Sequence, residues 1–182
     1  MVQSLMAGPL PARTEYGDCC SEVQQVHRAV GVAPLDIGVL TLAGPDRVSF
    51  LHNISSNDIK SLKAGQGCES LLLTPKGKIQ IPFTVVAGPD FLRLLVDRTL
   101  ASTLKSFLDS ALIMEEMTVA DDTAHVQFFH LAGSRLTELM SALSLSMPPA
   151  DLAWVKHGDA GVIRRRRTVE AGVDLRVPAE SA

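Results

Sequence analysis

Four consecutive arginines, Arg164 to Arg167, form the densest group of charged side chains in the sequence. Guanidinium groups hold phosphates and carboxylates through paired N–H donors, so this run could form an anion site. The alternative is a strand whose arginines point to solvent, with Glu170 offsetting part of the charge. Because side chains on a strand alternate between its faces, both interpretations predict two arginines on each face.

The segment TPKGKIQIPF, Thr74 to Phe83, is typical of a turn followed by a strand. Pro82 lies inside the apolar part of that strand, and a proline cannot donate to a sheet ladder, so it is predicted at an edge or a bulge. The lysines around Gly77 do not make a phosphate loop, because the preceding glycines and a following serine or threonine are missing.

Histidines and cysteines could supply acid–base, metal or redox chemistry. Four histidines stand singly among apolar runs: His52, His125, His130 and His157. None has an obvious serine, cysteine or aspartate partner, so we interpret them as structural. The three cysteines, Cys19, Cys20 and Cys68, form no C-x-x-C pair. The adjacent two could be a redox or metal feature, but small residues near a helix start are the favoured interpretation.

Composition excludes several classes of protein. The chain has 182 residues, 46% of them hydrophobic and 20% charged, which favours a folded protein over a disordered one. A net charge of -3 and single Trp and Tyr residues argue against a nucleic-acid or acidic-lipid partner. Residues 1 to 13 have neither a long apolar core nor a basic leader, so we expect a cytoplasmic protein with reduced thiols and no membrane span.

The elements that must position these residues follow from hydrophobic spacing. Residues 1 to 20 are predicted as a loose arm, and residues 20 to 31 as a helix with Ser21 as its cap and Gly31 as its stop. A strand at 37–44 leads into a helix at 46–54, and residues 68–97 form an antiparallel meander. An amphipathic helix follows with Thr99 as its cap. Strands at 115–119 and 124–131, a helix at 133–144 and two last strands complete an α+β protein with antiparallel sheets and packed helices.

One string, Ala-Gly-Pro-Asp, occurs twice, at Ala43 to Asp46 and at Ala87 to Asp90. The first copy leads into a helical pattern and the second into a strand pattern. We therefore interpret the repeat as shared turn chemistry rather than as a duplication.

Four segments, taken in order, resemble the folate-binding superfamily of the glycine-cleavage T-protein (aminomethyltransferase) and its YgfZ-like relatives. LDIGVLTLAGPDRVSFLHNISSNDI is similar to the family's opening block, in which an Asp-x-Gly strand leads through Gly-Pro-Asp to a helix ending in Thr-Asn-Asp, with Ser56 replacing the threonine. LLLTPKGKI and FLRLLVD resemble the family's next strands around an Asn-x-x-Gly turn. GVDLRVPAES resembles its late Gly-aromatic-Glu-aliphatic-x-Val-Pro-Ala-Glu block. The order and spacing across residues 35 to 180 make the resemblance specific.

The resemblance implies a ferredoxin-like lobe and a barrel-like lobe around tetrahydrofolate in a central hole. It also implies an Asp-Asp pair after the glycine turn, and aligning Gly77 with the family glycine places Ile81 and Pro82 at these two positions. A carboxylate there can hold a developing ammonium or iminium charge and exchange a proton. Isoleucine and proline can do neither, so no catalytic residue for aminomethyl transfer is predicted.

The same resemblance implies three folate contacts. Asp174 stands where the family has a glutamate that grips the pterin edge, and it is one methylene shorter. Arg167 replaces an aromatic residue, so a stacking contact is lost or replaced. Asp97 could contact the ligand, or it could be a strand-end aspartate before the Thr99 cap. The arginine run could bind the polyanionic tail of folate.

Family members continue into a C-terminal barrel, and YgfZ-like proteins carry a Lys-Gly-Cys-x-x-Gly-Gln motif there. Neither lies in these 182 residues, so residues 21 to 182 are predicted to form the folate-binding domain without the barrel. Such a domain should expose apolar surface and self-associate or bind a partner that supplies the barrel. The predicted role is that of an accessory protein for iron-sulfur enzymes. The alternatives are an aminomethyltransferase using Asp97 or Asp90, and a non-catalytic subunit of a folate-dependent complex.

Overall fold

Two five-stranded antiparallel sheets form the framework of residues 18–179, the part of the chain that the computed structural model describes. The first sheet has the order β3-β4-β5-β2-β6 and the second β1-β7-β10-β9-β8. The strands of the first sheet are β2 (Ile37–Ala43), β3 (Gly67–Leu73), β4 (Ile79–Ala87), β5 (Phe91–Asp97) and β6 (Thr118–Asp121). Those of the second are β1 (Gly31–Leu35), β7 (Val126–Ala132), β8 (Trp154–His157), β9 (Ala160–Arg164) and β10 (Gly172–Pro178).

Four α-helices accompany the sheets within residues 18–179: α1 (Cys19–Arg28), α2 (Arg47–Ile54), α3 (Ala101–Ala111) and α4 (Leu136–Ala142). In the first sheet, the path β2-α2-β4-β5-α3-β6 with β2 between β5 and β6 is the ferredoxin-like arrangement, and β3 adds a strand at one edge. The predicted α+β class with a ferredoxin-like lobe is confirmed. No helix in the described range is long and apolar enough to cross a membrane.

Three apolar clusters show that the sheets pack face to face with helices outside them. Leu40, Leu94 and Leu104 belong to a core between the first sheet and α2 and α3. A second cluster joins α4 to the second sheet through Leu136 and Met140. Between the two sheets lies a third cluster: Val39, Val86, Leu95, Val126, Phe128 and Ile163. Each sheet therefore buries both faces, which explains why strands such as β4 and β5 read as nearly continuous apolar runs.

The observed ends of the first elements differ from those that the sequence predicts. Residues 1–17 of the predicted arm lie outside the described range, whereas Cys19 and Cys20 belong to α1. The prediction of Ser21 as its cap is wrong, because the Asp18 carboxylate accepts from the backbone N–H groups of Cys20 and Ser21. Gly31 is not the stop, since the helix ends at Arg28.

The sheet edges also differ from the sequence prediction. The predicted strand at 115–119 lies at Thr118–Asp121, and two strands, β1 and β8, were not predicted at all. β1 is an edge strand that contains Pro34 and exposes its middle three residues. A proline on an edge prevents further strand pairing, so β1 closes that side of the second sheet against aggregation.

The two halves of the structure repeat one connection pattern. In each half a first strand ends in Leu-Ala and is followed by a glycine, a helix and three further strands. The order is β2-α2-β3-β4-β5 in the first half and β7-α4-β8-β9-β10 in the second. In each sheet these strands have the same relative order, and a fifth strand, β6 or β1, lies beside the first. The repeat lies at Leu42–Gly44 and Leu131–Gly133. The second Ala-Gly-Pro-Asp string instead joins β4 to β5 as a hairpin turn, as predicted.

Candidate functional site

A cavity of about 360 Å³ opens between the two sheets. Its walls are formed by residues 69–71 of β3, 82–84 of β4 and 95–97 of β5, together with residues 35–37, Arg165 and Arg167. This volume lies in the range of small-molecule sites, which are commonly found where elements of a fold meet. Three positions singled out from the sequence, Pro82, Asp97 and Arg167, therefore border one cavity.

Pro82 lies where the first sheet splits. The ladder between β4 and β5 runs from the pair Thr84 and Leu95 to the pair Ala87 and Leu92, and it has no pair at Pro82. On its other side Pro82 still pairs with Leu71 of β3. Since proline has no N–H to donate, it stands where β4 and β5 diverge and the cavity begins. Pro82 is thus at a local edge of the sheet.

The neighbouring Ile81 takes no part in the cavity. Its side chain is 4% exposed and belongs to the core between the first sheet and its helices. Adjacent residues of a strand point to opposite faces. Of the two positions at which the resemblance implies aspartates, only Pro82 borders the cavity, and it offers an apolar ring.

Asp97 ends β5 at the cavity wall. Its carboxylate accepts hydrogen bonds from Thr99 Oγ1 at 2.5 Å and from the Thr99 backbone N–H at 2.9 Å. The Thr99 hydroxyl and then its backbone amide lower the pKa of Asp97. Asp97 therefore remains ionised at neutral pH. It also caps the 3₁₀ turn Arg98–Leu100 that precedes α3, so the prediction that Thr99 is the cap is wrong.

Asp174 lies behind the cavity wall rather than on it. Its side chain is fully buried, and both carboxylate oxygens are bonded to protein donors. His130 Nδ1 lies 2.7 Å from Oδ1, and Arg167 approaches with Nε at 3.0 Å from Oδ1 and Nη2 at 2.7 Å from Oδ2. Burial alone would raise the pKa of Asp174, but the hydrogen bonds from His130 and Arg167 outweigh it and hold the pKa below its usual range.

His130 is the residue of this group that sequence reasoning missed. The prediction that it has no acidic partner is wrong, because β7 and β10 pair with His130 opposite Asp174. Its ring lies against Gly172, where an added Cβ would meet His130 Cε1 at 2.6 Å. The partners are 44 residues apart, and only the register of two strands brings them together.

The arginine run divides between two sides, but the predicted strand is wrong for three of the four arginines, because β9 ends at Arg164 and residues 165–167 have no regular secondary structure. Arg165 and Arg167 border the cavity. Arg165 donates to Thr84 Oγ1 of the opposite sheet at 2.8 Å and to Glu69 Oε1 at 2.5 Å. Arg164 donates to the carbonyls of residues 148 and 149, and Arg166 to those of residues 168 and 169. Both arginines on the cavity side thus already pair with carboxylates.

The remaining predicted candidates lie away from the cavity. Asp90 is exposed in the turn between β4 and β5. Cys20 is exposed and Cys68 is half-buried, and burial raises the pKa of the Cys68 thiol. A raised thiol pKa lowers the fraction of thiolate, so Cys68 is a weak nucleophile. Among residues 18–179 no group of three or more metal-ligating side chains converges.

Comparison with known proteins finds a relative in sequence and solved structures with a similar fold. No family model matches the chain. A chloroplastic protein of Arabidopsis thaliana, whose name carries a provisional assignment as a transferase, is 29% identical over 119 residues, which is 63% of this chain and 28% of that protein.

Two solved structures share the fold. The glycine cleavage system aminomethyltransferase T from Bartonella henselae superposes with a TM-score of 0.79 at 18% identity, over 87% of this chain and 45% of that one. A chain of the heterotetrameric sarcosine oxidase from Corynebacterium sp. U-96 superposes with a TM-score of 0.60 at 17% identity, over 88% of this chain and 83% of that one. The chain spans less than half of the plant protein and of the Bartonella enzyme.

Proposed function

We propose that this chain binds tetrahydrofolate in the cavity between its sheets and does not transfer an aminomethyl group. The observation that carries the proposal is Pro82, which occupies the cavity wall at the position where the resemblance implies a carboxylate. A pyrrolidine ring can neither hold a developing positive charge nor exchange a proton. The fold with its cavity is kept, whereas the group that the reaction needs is replaced.

The residues of the cavity suit a flat, polar ring. Ligand sites combine apolar walls with a few directed polar groups, and here Leu95 and Pro82 lie beside Asp97 and Arg167. Asp97 would accept from N–H groups of the pterin, and Arg167 would donate to an acceptor. Bound tetrahydrofolate would supply a carrier for one-carbon units, while this chain binds and orients it.

The biological role we propose is accessory, in assembly or repair of iron-sulfur enzymes, as the YgfZ-like resemblance implies. The Lys-Gly-Cys-x-x-Gly-Gln motif of that branch does not occur in these 182 residues, so the folate site carries the proposal.

Isothermal titration of the purified chain with tetrahydrofolate tests the binding. We expect saturable heat, and we expect Asp97→Asn to weaken the affinity about tenfold because a charged acceptor is lost. Asp90→Asn is the matched control, since Asp90 is exposed and borders no part of the cavity. If tetrahydrofolate at high concentration produced no heat and no thermal shift, the proposal would be contradicted.

The place of Asp97 on the cavity wall favours one alternative, an aminomethyltransferase that uses this carboxylate. An ionised carboxylate on the cavity wall could hold the positive charge that develops on a transferred group. Turnover of aminomethylated lipoyl protein that disappears in Asp97→Asn would support the enzyme. Absence of turnover by a chain that binds tetrahydrofolate would support the accessory role.

Exposed apolar side chains support a partner, as for a non-catalytic subunit or for a domain that needs a separate barrel. Ile113 is 85% exposed and Met114 next to it is 88% exposed. Such pairs are unusual on monomers unless another chain covers them. We expect multi-angle light scattering to report a mass above 19.5 kDa. A monodisperse monomer at high concentration would contradict self-association.

A further inference from the structure

The polar group that faces the cavity near β10 is a donor. The carboxylate of Asp174, which the resemblance assigns to the ligand, already accepts from His130 and from two nitrogens of Arg167, and its side chain is fully buried. A carboxylate in this state has no free edge toward a ligand. The residue that borders the cavity in its place is Arg167.

Arg167 keeps unused donors. A guanidinium carries five N–H groups, and Arg167 uses its Nε–H and one Nη2–H on Asp174. Both N–H groups of Nη1 and the second of Nη2 have no acceptor among residues 18–179. The side chain is 32% exposed, and that exposed part borders the cavity.

The charge around Arg167 favours a neutral acceptor over an anion. Asp174 already compensates the charge of Arg167, Glu69 and Arg165 compensate each other, and the carboxylate of Asp97 adds negative charge to the same cavity. A ligand carboxylate would meet this negative field, whereas a carbonyl oxygen can accept from a compensated guanidinium without a second charge. The acidic tail of a folate is thus the less suitable group for this position.

We infer that the cavity recognises its ligand through a ring oxo group that accepts from Arg167, with Asp97 accepting from ring N–H groups. The inference rests on the proposed function, and for a pterin it assigns the 4-oxo edge to Arg167. The site then rejects a ring that carries an amino group at position 4, because two donors would face each other.

Tetrahydrofolate and its 4-amino counterpart, tetrahydroaminopterin, form a pair of probes in which the 4-amino ring replaces the oxo acceptor with an amino donor and carries no proton on the adjacent N3. Titration calorimetry is expected to give an affinity about ten- to hundredfold higher for tetrahydrofolate, the effect of leaving the Arg167 donors unpaired once a bound ring covers them. Arg167→Lys keeps a positive charge for Asp174 but loses the N–H groups that face the cavity. The ratio of the affinities for tetrahydrofolate and the 4-amino compound should therefore fall toward one. Arg166→Lys is the control, because Arg166 donates to backbone carbonyls outside the cavity.

The outcomes separate the two proposals. Equal affinity for both probes, or tighter binding of the 4-amino compound, overturns the inference and leaves folate binding intact. Binding of neither probe overturns the proposed function and the inference together. The comparison on the unaltered chain is decisive by itself, so it holds even where Arg167→Lys does not fold.

Discussion

The variant Asp174→Asn is expected to lower the free energy of unfolding by about 3 kcal/mol. Asp174 is fully buried and joins His130 of β7 to Arg167 after β9. Removing one partner of a buried ion pair costs about 3–5 kcal/mol, and the lower end applies because Arg167 still reaches water. The asparagine amide would also turn N–H donors toward a site already occupied by donors. Equilibrium urea unfolding measures the change.

The contribution of Asp174 depends on pH in a defined direction. Its folded pKa lies below the value of 3.8 for the free side chain, because the hydrogen bonds from His130 and Arg167 outweigh the effect of burial. The stabilisation is therefore present above about pH 4 and is lost as the pH falls through the folded pKa. The difference in the free energy of unfolding between the native chain and Asp174→Asn should shrink as the pH falls through the folded pKa of Asp174.

Asp90→Asn controls for the loss of a carboxylate as such, since Asp90 is exposed and its side chain bonds to no partner in the described part of the chain. We expect its unfolding curve to match that of the native chain. If Asp174→Asn unfolded at the same urea concentration as Asp90→Asn, the interaction with His130 and Arg167 would contribute no net stability.

Local spacing was enough to predict the middle of the fold. The meander from β3 to β5 and the helices α2, α3 and α4 carry apolar patterns and turn residues within one short window. β1 and β8 do not, because β1 contains Pro34 and β8 has only four residues. The strand conformation of β1 comes from pairing with β7, which lies far away along the chain, whereas β8 pairs with the adjacent β9 across the turn at residues 158–159.

The sequence was enough to predict which residues border the cavity, but it did not show which of them donate and which accept hydrogen bonds. Pro82, Asp97 and Arg167 were singled out from one alignment, and all three border the cavity. That Asp174 faces Arg167 instead of a ligand depends on the path of residues 165–171, which have no regular secondary structure. No spacing rule gives the direction of a guanidinium in such a segment. Only the side-chain positions in the structure therefore show that a donor, Arg167, borders the cavity where the resemblance implies an acceptor, Asp174.

The repeat of Leu-Ala-Gly explains why both halves need glycine at the same point. Gly44 has φ +117° and Gly133 has φ +154°, in the region that side chains with a Cβ rarely adopt. At each glycine the segment next to the edge strand crosses closely: an added Cβ would lie 2.6 Å from Met117 Cα at Gly44 and 2.8 Å from Val30 Cα at Gly133. Backbone atoms cannot swing aside as a side chain can.

Gly44→Ala and Gly133→Ala are each expected to destabilise the protein by about 2–5 kcal/mol, the sum of about 1–2 kcal/mol of backbone strain and about 1–3 kcal/mol of steric overlap. Gly77→Ala is the matched control, because Gly77 has φ +75° and nothing lies within 4 Å of its added Cβ. It should cost only the strain, about 1 kcal/mol. Urea unfolding of all three variants separates strain from overlap. A Gly133→Ala variant no less stable than Gly77→Ala would show that α1 does not pack tightly against the second sheet, and the equivalence of the two halves would then fail at this point.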